Sequence, residues 1–160
     1  MRRTFCLSLV ICIALLAASS LVAQSSDPLV ATWTVNMAKS KYDPPSLAVK
    51  SNSSKWESMA GSLMVTTDGM DAQGKPTHTE IMMKFDGKEA PLKGAPAPNT
   101  TRVYTRIDQR TFEFVTKVGG KVTTTTRSVM SADGKTRTLT ATGKNADGQT
   151  VKNVTVWEKQ

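Results

Sequence analysis

From residue 30 onward the chain alternates apolar and polar residues in runs of about eight to ten, broken by short turn signals. In 111–118, Phe112, Phe114, Thr116 and Val118 share one face, with Glu113 and Lys117 opposite. In 77–85, Thr79, Ile81, Met83 and Phe85 oppose His78, Glu80 and Lys84. In 101–107, Val103, Thr105 and Ile107 oppose Arg102, Tyr104 and Arg106. A period of two with one apolar face is the signature of strands covered on one side. The frequent threonines suit a pleated, half-exposed surface and disfavour helix.

The breaks carry the chemistry of tight turns: Ala60-Gly61, Asp71 to Lys75, Asp86-Gly87, Asp108-Gln109, Gly119-Gly120, Asp133-Gly134 and Asn145 to Gly148. Glycine supplies the positive φ such turns need, and Asp or Asn bonds the backbone two residues on. The pattern predicts strands at about 30–36, 47–58, 62–70, 76–85, 88–93, 100–107, 111–118, 121–131, 135–143 and 149–158. One helical turn is expected within 37–43, before Pro44-Pro45. Pro96 and Pro98 mark 93–100 as a loop, since proline resists strand pairing. The fold class is therefore all-β, an antiparallel up-and-down meander of about eight to ten strands. Such a meander hides its edges by closing into a barrel or by folding into a two-sheet sandwich. Thr66, Gly69, Ala72 and Gly74 recur 74 residues later as Thr140, Gly143, Ala146 and Gly148. Two hairpins with one turn type account for this echo.

The first residues differ in kind. Met1-Arg2-Arg3 is followed by an apolar run from Phe5 to about Ala18, then by small residues up to Ala23. That order is a secretory signal peptide, and the apolar run is shorter than the roughly 20 residues of a spanning helix. We expect a signal helix cleaved near Ala23 (1–23), a flexible leader (24–28) and one barrel domain (29–160), with a secreted or periplasmic location. Both cysteines, Cys6 and Cys12, fall in the signal, so the exported chain would be free of disulfides. Removing Arg2 and Arg3 lowers the formal charge from +8 to +6. The remaining basic residues are scattered, and aromatics are too few for a stacking platform, so nucleic acid is not an expected partner. Nor is stable membrane insertion expected after cleavage, and the exported form is expected to be a monomer.

Candidate chemistry is sparse. His78 is the single histidine, which with no exported cysteine leaves no multi-His or Cys-based metal site. No nucleophile accompanies it in a recognisable motif, so no catalytic residues, metal or cofactor are expected. Asp71, Asp86, Asp108, Asp133 and Asp147 all fall in turns, where the carboxylate caps its own backbone. Trp33, Trp56 and Trp157 read as core anchors. The arginines offer more. Arg102, Tyr104 and Arg106 share a strand face, and Arg127 lies between Thr125 and Val129. Facing a barrel lumen, these four would form a ligand site, with guanidinium groups offering bidentate hydrogen bonds to an anion. Facing water, they would only support strand pairing; alternation alone does not choose between the faces.

Two segments resemble a known superfamily. Asp27-Pro28-Leu29-Val30-Ala31-Thr32-Trp33-Thr34-Val35-Asn36 is similar to the opening strand of lipocalin-like and fatty-acid-binding-like barrels, where Gly-x-Trp closes one barrel end. Asn153 to Lys159 resembles their closing strand, and the chain after the signal as a whole, including Ser131 to Thr136, resembles small secreted bacterial proteins of unassigned function often called lipocalin-like. Ala31 replaces the glycine, no helix pair follows the first strand, and the closing strand lacks Arg-x-Tyr, a spacing that Arg102-Val103-Tyr104 carries elsewhere. The resemblance implies a calycin-type barrel binding a small hydrophobic or amphipathic molecule; an anionic ligand is the expectation from the arginines alone. The competing expectation is a non-catalytic structural or interaction module of the cell envelope. Asn52, Asn99 and Asn153 each open an N-x-Ser/Thr sequon, which matters only in a eukaryotic secretory route.

Overall fold

A computed structural model describes residues 27–160. The signal helix expected over 1–23 lies outside the described residues. The strands are β1 (Ala31–Lys41), β2 (Ser51–Met59), β3 (Ser62–Met70), β4 (Pro76–Met83) and β5 (Glu89–Pro91), then β6 (Thr100–Arg106), β7 (Thr111–Val118), β8 (Lys121–Met130), β9 (Thr136–Lys144) and β10 (Thr150–Lys159). All ten belong to one antiparallel sheet in the order β4-β3-β2-β1-β10-β9-β8-β7-β6-β5. Every neighbour but β1 and β10 is also a neighbour in sequence, and that pair joins the first strand to the last. The sheet is an up-and-down barrel, not a sandwich.

Closure is nearly complete. β4 and β5 end the hydrogen-bonded order, and one bridge spans the seam between them. There the Glu80 N–H donates to the Lys93 carbonyl at 3.1 Å, and the Lys93 N–H donates back at 3.0 Å. Gly94 follows at φ +72, so close to β4 that a Cβ would overlap the His78 carbonyl oxygen. Only glycine satisfies both the backbone angle and the space.

The period-two reading places most faces. Ile81 and Met83 of β4, Phe112 and Phe114 of β7, and Tyr104 of β6 all point into the core. On β6 the interior face is that of Arg102, Tyr104 and Arg106; Ile107, beyond the strand on the other parity, is half exposed. The expected helical turn within 37–43 is not formed. β1 runs on through a bulge to Lys41 and still pairs with Val154, and a short 3-10 turn falls instead at Pro45–Leu47. The proline-fixed φ that favours a first helical turn acts after Pro44, not before it.

Turn chemistry explains the sequence echo. Asp71 Oδ1 accepts from the Gln73 and Lys75 N–H groups, and Asn145 Oδ1 accepts from those of Asp147 and Gln149. Asp86, Asp108 and Asp133 cap their own turns in the same way. Asp147 does not: Asn145 takes the capping position and Asp147 contributes only its N–H.

The seam generates a stability prediction. Gly94→Ala should cost about 2–3 kcal/mol, the left-handed backbone penalty plus the overlap with β4. Gly87→Ala, at φ +71 with open space around it, should cost only about 1 kcal/mol. Urea unfolding midpoints at constant m compare the two.

Candidate functional site

The tryptophans, the chain's three, converge on one side chain. Arg137 enters the interior from β9, in register with Trp157 of β10 and Met130 of β8. Its guanidinium carbon lies 4.1 Å from the Trp56 ring centroid, 4.8 Å from Trp33 and 5.9 Å from Trp157. The indole N–H groups are occupied elsewhere. Trp33 donates to the Leu29 carbonyl at 3.0 Å, Trp56 to Ser54 Oγ at 2.9 Å and Trp157 to Thr155 Oγ1 at 3.2 Å. That leaves the electron-rich indole faces to the cation.

Aromatic rings stabilise a guanidinium through its flat face and leave its edge donors free. Arg137 is 2 % exposed, and its Nε and Nη1 have no hydrogen-bond partner among the described residues. Burial pulls the guanidinium down to about 9, opposed by the neighbouring Tyr104, so it remains a cation at neutral pH. A buried cation with idle donors and no paired carboxylate is costly to keep.

Arg137 forms part of the wall of a cavity of about 240 Å³ inside the barrel. Trp56, Trp157, Tyr104, Phe112 and Phe114 supply its aromatic lining, with the Tyr104 and Phe114 centroids 5.3 Å apart. Strand register orders the cavity in depth. Arg137, Trp56 and Phe112 lie toward the end where β1 begins, whereas Asn52, Thr77 and Arg102 lie toward the opposite, hydroxyl- and amide-rich end. Arg102 sits over Phe114 at 4.7 Å, and its buried Nε also lacks a partner. The lining holds two arginines and no carboxylate.

The four residues singled out from sequence separate into three places. Arg102 and Tyr104 line this cavity. Arg106 lies at the other end, 4.0 Å over the Phe85 ring and salt-bridged to Asp27, where a second hollow of about 340 Å³ opens. Arg127 is exposed on the outer face, 2.8 Å from Glu113 on the adjacent strand. Sequence reading passed over Arg137. Its signal was parity: along β9 it shares a face with Leu139 and Ala141 while threonines fill the other.

His78 lies on the outside, opposite the inward Thr77 and Thr79. Its Nδ1 is 2.6 Å from Asp68 and its Nε2 3.5 Å from Glu80. The hydrogen bond to Asp68 holds the imidazole above its ordinary value. Among the described residues no group of three or more His, Cys, Asp or Glu side chains is placed to hold a metal ion.

No known protein-family model matches the sequence, and no curated protein is significantly similar to it.

Two measurements follow. An NMR titration of His78 should give a midpoint above about 6.5, and Asp68→Asn should lower it. With the folded value raised, the pair's stabilisation is present in full below the unfolded value and is lost as pH rises through the folded one. Arg137→Met should fold to a barrel within about 1 kcal/mol of the parent in urea, because the recovered desolvation cost offsets the lost cation–π contacts. Trp33→Ala, which opens the packed floor itself, should cost about 3–5 kcal/mol.

Proposed function

We infer that the protein is a lipocalin-like binder that holds one small amphipathic molecule inside its barrel, outside the cytoplasm, without catalysing a reaction on it. The observation that carries this reading is the aromatic cavity of about 240 Å³ with unpartnered buried donors in its wall. A barrel of this size either fills its interior with side chains or holds a small ligand. The cavity wall sets aromatic rings beside polar side chains such as Asn52, Thr79 and the two arginines, and polar groups placed among apolar ones are what orients a small ligand. The volume falls just below the roughly 300–1,000 Å³ of drug-sized sites, which favours a compact molecule over a long chain. The similarity of the first and last strands to lipocalin-like barrels supports the same assignment, as does the apolar amino-terminal segment for export.

The test uses the fluorescent probe 1-anilinonaphthalene-8-sulfonate. One equivalent should brighten on the parent protein. Thr79→Trp, which fills the lumen from β4, should abolish the signal. Arg127→Ala, on the outer face, should leave it unchanged. Equal brightening of all three proteins would place the dye on the outer surface and overturn the reading.

A further inference from the structure

The cavity's charge balance narrows what it takes. Two arginines line it and no Asp or Glu does. Arg106 and Arg127, by contrast, have acidic partners, Asp27 and Glu113. Arg137 and Arg102 have aromatic faces beneath them and idle N–H groups at their edges. Buried donors almost always have a partner, in the protein or in ordered water, and the described residues supply none to these. Water alone is a poor replacement for a counter-ion in a site lined by aromatic rings.

We propose that the barrel's ligand is a compact aromatic carboxylate whose carboxylate docks on the edge of Arg137 while its rings lie against Tyr104, Phe112 and Phe114. This rests on the lumen being the binding site. Arg102, nearer the opposite end of the same cavity, is a second cation that draws the anion inward. The aromatic lining selects the rest of the molecule. Ring faces meet flat ligands at full contact, and Tyr104, Phe112 and Phe114 form a continuous cluster with centroid separations of 5.3–6.4 Å. The limited volume excludes a long acyl chain and fits one or two rings.

The experiment compares 2-naphthoate with its neutral isostere 2-naphthamide, by calorimetry and by quenching of Trp56 and Trp157. The parent should bind the acid at least about tenfold more tightly, the fold-change expected for a charge-assisted hydrogen bond in a buried site. Arg137→Met should bring the acid and the amide to equal affinity. Arg102→Met should reduce it in part, and serves alone if the Arg137 variant does not fold. Equal affinity for acid and amide in the parent overturns the anion subsite while leaving the lumen as the binding site. So does failure of both compounds where the anilinonaphthalene dye still binds in a Thr79-sensitive manner. Failure of both compounds, together with dye binding insensitive to Thr79→Trp, overturns the lumen reading as well.

Discussion

The interior is organised around a cation enclosed by tryptophans. Arg137 brings together strands from both ends of the chain: Trp33 from β1, Trp56 from β2 and Trp157 from β10. Those strands are also where the meander closes on itself, with Trp157 pairing both Arg137 and Val35 across the sheet. The cluster therefore does two things with one set of contacts. It ties the first strand to the last, and it leaves a cation beside a cavity walled by both aromatic and polar side chains. Moving Arg137 one residue along β9 would turn it to the outer face and leave the three indoles facing a void.

The two ends of the barrel are finished differently, and the difference follows from which charges are paired. At the β1 end, Leu29 is almost fully buried, its carbonyl accepts the Trp33 indole N–H, and Asp27 neutralises Arg106. The chain entering β1 thus acts as a plug with satisfied polar groups. At the other end, Asn52, Thr77 and Arg102 surround the cavity without a carboxylate among them. Hydroxyl and amide groups tolerate solvent or a ligand equally well, so this end does not depend on packing for its stability. The seam between β4 and β5 lies along the side of the barrel and is held by the exchanged hydrogen bonds of Glu80 and Lys93. Gly94 lets the backbone come close enough to make them.

Much of the architecture was legible in the sequence because hairpins are local. Turn glycines and capping Asp residues fix where strands begin, and alternation fixes which residues share a face. The ten strands accordingly fall close to their expected ranges. What alternation does not carry is the sign of a face. On β6 the aliphatic set Val103 and the polar set Arg102, Tyr104 and Arg106 looked alike, and the aromatic Tyr104 turned out to mark the interior. Arg127 has the same composition of neighbours but the opposite parity, with Thr126, Ser128 and Met130 buried in its place. The turn expected before Pro44 failed for a related reason. Pairing of β1 with β10 extends the strand through 37–41, and long-range hydrogen bonds override a local preference.

Arg137 shows where local reading stops and why. A threonine-rich strand with one arginine reads as a solvated surface, since arginine is seldom fully buried. Only the closed barrel reveals that three tryptophans, far apart in sequence, reserve a place for it. Placing a guanidinium there brings back part of its desolvation cost through the ring faces, at about 0.5–2 kcal/mol per favourable contact. The Nε and Nη1 donors recover nothing from the described residues. A hydrophobic side chain of similar volume would fill the space without that cost, so packing alone does not account for an arginine at this position. What an arginine adds, and methionine or leucine would not, is a planar cation with unpartnered donors beside a chamber walled by aromatic rings.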